Sequence, residues 1–243
     1  MEISQQIEEA FNSIFSAKSL DDLRNIIKDL RERLGLANIV YHALRLPKTD
    51  ILHPMLLLTY EPEWVQRYIE NDYFRIDPVV IHGRRGFLPV DWFEVDRETV
   101  NAKRFFSDAD KFGVGRQGLT MPIRGPGGER ALFTVTANIS QSEWRKRRLA
   151  YMRSFQLMGH FFHDRAVQFG GFRLADRSPE LSPREKECLQ AIANGKAPKQ
   201  IASDLQLSAS AVQLYLKSAR QKLCCKSIAE AAVISQRLEL LEN

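Results

Sequence analysis

Cationic and amide side chains recur along one face of a predicted helix near the carboxyl end of the chain. Between residues 198 and 226, five lysines and arginines accompany a single acidic residue, Asp204. Such a stripe can neutralise phosphates, and Gln213 and Lys217 are side chains that can read base edges in a major groove. A small helical bundle with solvated charges would show the same periodicity, so the pattern alone leaves both interpretations open. The outward face carries Ser210, Gln213, Leu214, Lys217, Arg220 and Gln221.

Four short helices are predicted to position this face, and each has its own start signal. The first begins with a capping box at residues 182–185, which has proline at the first helical position. Pro198 can open the second helix, residues 206–207 form a tight turn, and Ser208 caps the third helix. A further capping box at residues 227–230 starts the last helix. Two short helices joined by a tight turn are the pattern of a helix-turn-helix.

Other polar clusters point less clearly to chemistry. His160 and His163 lie one helical turn apart and beside Asp164, a spacing that can bind zinc, but no third ligand is evident. The cationic run at 145–148 is interpreted as a solvated helix face. The glycines and proline at 125–128 are interpreted as turn residues, because neither a helix nor a Lys-Ser/Thr pair follows them. We therefore expect neither a metal site nor a cofactor.

The chain before residue 169 alternates helical and strand-like patterns. Apolar residues recur at helical spacing in two segments near the amino terminus, and the second segment begins after Ser19. The clearest hairpin is 118–139, and Ser140 opens a long helix that runs to about residue 168. A Gly- and Pro-bearing stretch at 169–178 without periodicity is predicted to be a linker. Strands are also predicted at 38–46 and 54–60, and a helix near 63–71.

Composition limits the class of protein. The 243 residues are 44% hydrophobic and 27% charged, which excludes a disordered or fibrous chain. The net charge of +5 fits a polyanionic partner but is too small to prove one. Three cysteines (Cys188, Cys224 and Cys225) cannot form a disulfide framework, and neither a secretion signal nor a membrane-spanning run is evident. We expect a cytoplasmic protein of two domains that does not bind membranes.

Residue identities within the four carboxy-terminal helices follow a specific pattern. The stretches that carry it are 181–189, 193–196, 201–208, Val212 and 220–223. This pattern closely resembles the LuxR-type helix-turn-helix signature. The resemblance implies that Gln213, Leu214 and Lys217 face bases and that Lys222 faces a phosphate. The chain departs from the family pattern at four positions, where the usual residues are hydroxyl-bearing, acidic or histidine. The residues present there are Ala197, Gln200, Ala211 and Tyr215.

A second set of motifs lies in the amino-terminal part of the chain. They are residues 60–68, 73–79 and 89–92, followed by 105–106, 118–120 and 125–129. Their order resembles the autoinducer-binding domain of LuxR-family quorum-sensing regulators, so the resemblance covers nearly the whole chain. It implies an α+β fold: an α/β/α sandwich sensor domain with an antiparallel sheet of about five strands, plus a small all-α four-helix domain. The domains are expected at 1–168 and 179–243, joined by the linker at 169–178.

The resemblance also implies a pocket for an N-acyl homoserine lactone, which has one amide N–H donor and carbonyl acceptors on its lactone and acyl groups. Enclosing it requires one acceptor and two or three donors, because an unpaired buried polar group costs about 1–3 kcal/mol. Asp77 is the implied acceptor for the amide N–H, Trp64 the donor to the lactone carbonyl, and Tyr60 the donor to the acyl carbonyl. Thr134 is expected to add a second hydroxyl. The implied apolar walls are Tyr68, Trp92 and Phe106.

Each of these residues also has a plain structural interpretation. Asp77 before Pro78 can cap a turn, the aromatic residues can belong to the core, and Thr134 can serve β-propensity. The joint spacing, rather than any single residue, favours the ligand pocket. The acyl group that fits is expected to depend on the packing of Tyr41, His42, Val65 and Val79.

The sequence thus predicts a ligand-dependent transcription regulator that forms a homodimer on a palindromic site in double-stranded DNA, with RNA polymerase as a further partner. The rival from another class is an enzyme acting on lactones or amides, but no Gly-x-Ser-x-Gly elbow, His-rich metal motif or Cys/His pair is evident. A second alternative is a regulator that responds to a different metabolite or acts without a ligand.

Overall fold

The computed structural model describes residues 2–46, 49, 53–172, 180–238 and 240–241. Residues 2–125 and 129–172 belong to an amino-terminal unit, and the described residues from 180 onward belong to a carboxy-terminal unit. Most of the predicted linker at 169–178 lies outside the described residues, so the predicted domain boundaries stay a prediction.

A five-stranded antiparallel sheet forms the middle layer of the amino-terminal unit, as predicted. The strand order is β2-β1-β5-β4-β3. The short strand β3 escaped prediction because two residues carry no periodicity of their own; pairing of Val90 and Asp91 with β4 defines it. The predicted hairpin is confirmed as β4 and β5. The strands are β1 (Asn38–Arg45), β2 (Met55–Leu58), β3 (Val90–Asp91), β4 (Gln117–Gly125) and β5 (Glu129–Ala137).

Three helices cover one face of this sheet: α1 (Glu2–Ser16), α2 (Leu20–Leu34) and a long helix, Gln141–Phe169, which is α7 in chain order. Ser19 starts α2 as predicted, because its side chain accepts a hydrogen bond from the Asp22 N–H at 3.1 Å. Ser140 caps α7 in the same way through the Glu143 N–H, at 3.2 Å. The core on this side packs apolar helix residues against Tyr41 and the other inward residues of β1, β4 and β5.

Four shorter helices cover the opposite face, which completes the predicted α/β/α sandwich. Their core is largely aromatic and includes Trp64, Tyr73, Trp92 and Phe105. Gly83 lets the third of these helices approach β5, because a Cβ there would lie 2.7 Å from Leu132. The helices are α3 (Pro62–Glu70), α4 (Tyr73–Ile76), α5 (Pro78–Arg85) and α6 (Val100–Lys111).

The carboxy-terminal unit contains the predicted four helices. Its core includes Leu189, Ile201, Val212 and Leu216, each fully buried. The last helix ends at Arg237. None of the helices described in either unit is long and apolar enough to cross a membrane. The four helices are α8 (Pro183–Ala193), α9 (Pro198–Asp204), α10 (Ala209–Lys222) and α11 (Ile228–Arg237).

Candidate functional site

A cavity lies between the sheet and helices α3 to α6 of the amino-terminal unit. Alternate residues of β1 and β5 form part of its sheet wall, because successive side chains of a strand point to opposite faces. Val40 and His42 of β1 line it beside Leu132 and Thr134 of β5. The residues predicted to bind ligand that line this cavity are Tyr60, Trp64, Tyr68, Asp77, Trp92 and Thr134.

Asp77 both caps α5 and lines the cavity, so the structural role and the position expected of a ligand-binding residue are compatible. One carboxylate oxygen, Oδ1, accepts hydrogen bonds from the N–H groups of Val79 and Val80, at 2.8 and 3.2 Å. The other, Oδ2, accepts a hydrogen bond from the Tyr68 hydroxyl at 2.7 Å. Burial raises the pKa of Asp77 to about 6, while these three hydrogen bonds oppose the rise. The group is therefore a fixed acceptor that is mostly ionised at neutral pH.

Two donors face the same cavity without a partner in the described part of the chain. The indole N–H of Trp64 and the hydroxyl of Tyr60 donate no hydrogen bond to any of the residues described here, although Trp64 is only 2% exposed. Burial, with the nearby Asp77 carboxylate, raises the pKa of Tyr60 well above its usual value, so the hydroxyl keeps its proton. The cavity thus presents one carboxylate acceptor and two available donors.

A chain of hydrogen bonds fixes a third polar group, Thr134. Trp92 Nε1 donates to Thr120 Oγ1 at 3.0 Å, and Thr120 Oγ1 lies 2.9 Å from Thr134 Oγ1. Thr120 accepts from the indole, and its hydrogen bond with Thr134 holds the Thr134 hydroxyl at the cavity wall. Gly118 allows the Trp92 ring to lie against β4, since a Cβ there would lie 2.3 Å from the ring.

Phe106 is one predicted wall residue that does not line the cavity. Its neighbour Phe105 takes that place, while Phe106 packs against Trp92 and carries the Arg97 guanidinium 4.0 Å from its ring centroid. Adjacent residues on a helix point about 100° apart, so an error of one position moves a side chain off the wall. Thr99 caps the start of α6 through the Ala102 N–H, and Phe105 packs against Trp64 and Tyr73.

The residues expected to shape the acyl pocket divide in the same manner. Val65, Val79 and His42 line the cavity. Tyr41, adjacent to His42 on β1, points to the other face of the sheet, where its hydroxyl lies 2.8 Å from Nδ1 of His163. Strand alternation makes these two positions mutually exclusive as wall residues.

His160 and His163 point to different surroundings. His163 is buried and its Nε2 lies 3.0 Å from Glu129 Oε2, whereas His160 is exposed. Among the residues that the structure describes, no group of three or more His, Cys, Asp or Glu side chains could hold a metal ion.

The outward face of α10 carries the side chains predicted to read bases. Ser208 caps this helix through the Ala211 N–H at 3.1 Å, and Ser210 lies beside the cap with its Oγ 3.0 Å from Ser208 Oγ. Gln213 and Lys217 are exposed, and Leu214 is 66% exposed although it is apolar. Three neighbouring side chains within little more than one helical turn are therefore accessible to a partner: Gln213, Leu214 and Lys217.

Two cations of the predicted DNA-binding set also hold the domain together. Arg220 donates to the Cys225 carbonyl at 3.2 Å. Lys222 Nζ donates to Glu185 Oε2 at 2.8 Å, and Ser218 donates to the other oxygen of Glu185 at 2.7 Å. Burial opposes ionisation of Glu185, but the hydrogen bonds from Lys222 and Ser218 hold its pKa below the usual value. Spacing along the sequence gave no sign of this ion pair, because Glu185 lies on α8.

Comparison with known proteins assigns families to both units. Residues 19–166 match the autoinducer binding domain family, and residues 179–235 match the luxR family of bacterial regulatory proteins. The transcriptional activator protein RaiR of Rhizobium etli is 52% identical over 201 residues, which cover 82% of this chain and 83% of RaiR. The quorum-sensing regulator RhlR of Pseudomonas aeruginosa is 29% identical over 198 residues, which cover 80% of this chain and 77% of RhlR.

Solved structures share the fold. The crystal structure of Escherichia coli SdiA covers 98% of this chain and 98% of its own at a TM-score of 0.65, with 18% sequence identity. The transcription factor CepR2 of Burkholderia cenocepacia covers 68% of this chain and 98% of its own at a TM-score of 0.56, with 22% identity.

A sensor cavity followed by a helix-turn-helix unit defines a ligand-responsive, DNA-binding transcription regulator rather than an enzyme. The chain belongs to the LuxR family of bacterial regulators and carries that family's autoinducer-binding domain, which makes it a quorum-sensing regulator.

Proposed function

We propose that this protein binds an N-acyl homoserine lactone and, as a homodimer, activates transcription from a palindromic promoter site in the cytoplasm. The observation that carries the proposal is the pairing of one buried acceptor, Asp77, with two donors, Trp64 and Tyr60, that no described residue engages. An acyl homoserine lactone has the complementary set: one amide N–H and carbonyl oxygens on both sides of it.

Each polar group of the signal has a counterpart in the cavity. The amide N–H donates to Asp77, the lactone carbonyl accepts from the Trp64 indole, and the acyl carbonyl accepts from Tyr60. The Thr134 hydroxyl, oriented by Thr120, is a second donor to the acyl carbonyl. Tyr68 and Trp92 supply ring walls, with Phe105 in the place expected for Phe106. Pairing these buried groups avoids a cost of about 1–3 kcal/mol for each group left unpaired.

Binding to double-stranded DNA is assigned to the exposed face of α10. Gln213 and Lys217 can donate to base edges, and Leu214 can contact a thymine methyl group. In a homodimer the two recognition helices would meet half-sites about one helical turn apart, at roughly 34–36 Å. Exposed apolar side chains on α1 and α7 favour dimerisation of the sensor domains, and we assign this role to Phe15, Leu149, Leu157 and Phe161.

Two relatives support the activator part of the proposal. RaiR of Rhizobium etli and AnoR of Acinetobacter nosocomialis, 52% and 26% identical to this chain, are both transcriptional activator proteins. An activator bound beside a promoter has RNA polymerase as a natural partner, which we include in the proposal.

The test is calorimetric titration of the full chain with acyl homoserine lactones and with their ring-opened acids. Asp77→Asn should weaken lactone binding by about 10- to 100-fold, because a hydrogen bond to a charged group contributes about 1.5–3 kcal/mol. Glu63→Gln removes an exposed carboxylate from α3 and should leave the affinity unchanged. Equal binding of the ring-opened acid, or full affinity in Asp77→Asn, would favour a different metabolite. Selection of DNA from a random pool, with and without lactone, tests the palindrome.

A further inference from the structure

The cavity has a second polar end, which the lactone does not use. His42 of β1 pairs with Leu56 of β2 on one side and with Leu132 of β5 on the other. Its imidazole is 6% exposed and lines the cavity among aliphatic and aromatic neighbours. Phe74 completes this group, with its ring centroid 5.4 Å from that of His42. A buried imidazole in such a wall needs a hydrogen-bond partner for each of its nitrogens.

His53 supplies one of those partners from behind the wall. His42 Nε2 lies 2.6 Å from His53 Nδ1, and the His53 ring stacks on Phe74 at a centroid distance of 4.1 Å. His53 has a φ of +59°, a left-handed conformation that is uncommon for residues other than glycine. The remaining nitrogen of His42, Nδ1, makes no hydrogen bond to any described residue. One polar atom of a nine-tenths-buried side chain in the cavity wall is therefore available to a ligand.

The two rings are neutral, which restricts the chemistry of that ligand group. Burial, together with the nearby His53 and Arg84, lowers the pKa of His42 to about 3. Burial and Arg84 also lower the pKa of His53. A neutral pair can place its shared proton on either ring, so Nδ1 of His42 can donate or accept. A hydroxyl or keto group satisfies such an atom, whereas an anion would gain no charge pairing from it.

The position of His42 relative to Thr134 indicates which part of the signal it meets. Thr134 lies opposite Val40, and Leu132 lies opposite His42, so the two polar side chains are one same-face step apart. That step is about 7 Å along the sheet. With the acyl carbonyl at Thr134, as in the proposed function, the acyl chain crosses Leu132 toward His42.

We propose that His42 recognises a hydroxyl or keto group on the acyl chain of the signal, and that His53 positions the His42 ring by occupying its Nε2 atom. This inference rests on the proposed function and adds the chemical class of the acyl group to it. His42 is then a specificity residue, and His53 a positioning residue that acts through it.

The experiment titrates the full chain with lactones of equal chain length. The probes are N-octanoyl homoserine lactone and its derivatives with a hydroxyl on the third carbon, a keto group on the third carbon, or a hydroxyl on the last carbon. At least one substituted lactone should bind about 3- to 30-fold more tightly than the unsubstituted one, because it satisfies a buried polar atom. His42→Leu should remove this preference and bind the unsubstituted lactone at least as well as before. Leu56→Met, at the same end of the cavity, should keep the preference.

A wild-type protein that binds all four lactones equally, or a His42→Leu variant that keeps the preference, would overturn the inference while leaving the proposed function intact. His53→Ala provides a second variant at a partly exposed position, in case His42→Leu does not fold. It should reduce the preference at least threefold, and an unchanged preference there would also overturn the inference. Failure of the wild-type protein to bind any lactone would overturn the proposed function and this inference together.

Discussion

Lactone affinity should depend on pH through Asp77. The amide N–H of the signal bonds to the ionised carboxylate, and burial places the pKa of this group at about 6 in the ligand-free protein. If only the ionised form binds, about nine-tenths of the protein is competent at pH 7 and about one-tenth at pH 5. The dissociation constant should therefore rise about tenfold between pH 7 and pH 5.

Other titrating groups of the cavity should not contribute over this range. His42, with its pKa near 3, is neutral throughout, and burial keeps Tyr60 and Tyr68 protonated. Isothermal titration of wild type and Asp77→Asn with lactone, at steps of half a pH unit, isolates the contribution of Asp77 to the pH dependence of binding. The variant should bind weakly and show a flat profile. A flat profile in the wild type, or the same slope in Asp77→Asn, would refute the assignment of Asp77 as the amide acceptor.

The raised pKa of Asp77 should also make the free energy of unfolding depend on pH. Because the pKa of Asp77 is raised on folding, its stabilising effect is fully present below about pH 4 and is lost as pH rises through 6. The loss is about 3 kcal/mol, because the pKa of Asp77 rises from its ordinary 3.8 to about 6 on folding and each pH unit corresponds to about 1.4 kcal/mol. Denaturant unfolding of ligand-free wild type, minus the same curve for Asp77→Asn, should show this decline. A difference that is independent of pH would contradict the raised pKa.

Four further outcomes are expected. The ligand-free chain should be poorly soluble, and lactone at 100 times its dissociation constant should add about 2.7 kcal/mol and raise the melting temperature by several degrees; equal yield and melting temperature without lactone would count against this. Gly118→Ala should abolish lactone binding, because the new Cβ would lie 2.3 Å from the Trp92 ring, and binding calorimetry on the folded variant checks it. Lys217→Ala should lower the salt slope of DNA binding by about 1 at unchanged stability. Lys222→Ala should instead destabilise the helix-turn-helix unit, since it leaves the buried carboxylate of Glu185 without its cationic partner, and thermal melting distinguishes the two variants.

Local signals account for what the sequence could predict. Ser19, Ser140, Ser182, Ser208 and Ser227 each cap the helix predicted to follow, because a cap is a bond between residues two or three positions apart. The capping role of Asp77 was predictable for a similar reason, since its carboxylate bonds backbone N–H groups two and three positions further along the chain.

Features that depend on distant partners could not be predicted in the same way. The strand β3 exists only through its pairing with β4. The contacts of Phe105 with Trp64 and Tyr73 on other helices place Phe105 rather than Phe106 at the cavity. Lys222 reads as a free cation in the sequence, and only the packing of α8 against α10 reveals the carboxylate that holds it.

Signal binding and folding should be coupled in this protein because of where the cavity lies. It lies between the aromatic core under α3 to α6 and strands β1 and β5, so those helices contact the sheet partly through cavity-lining residues. The donors of Trp64 and Tyr60 bond none of the described residues, and each donor left unpaired weakens this layer. A ligand that satisfies both donors and Asp77 joins the helices to the sheet. The concentration of folded regulator then follows the concentration of signal, without any change in the helix-turn-helix unit itself.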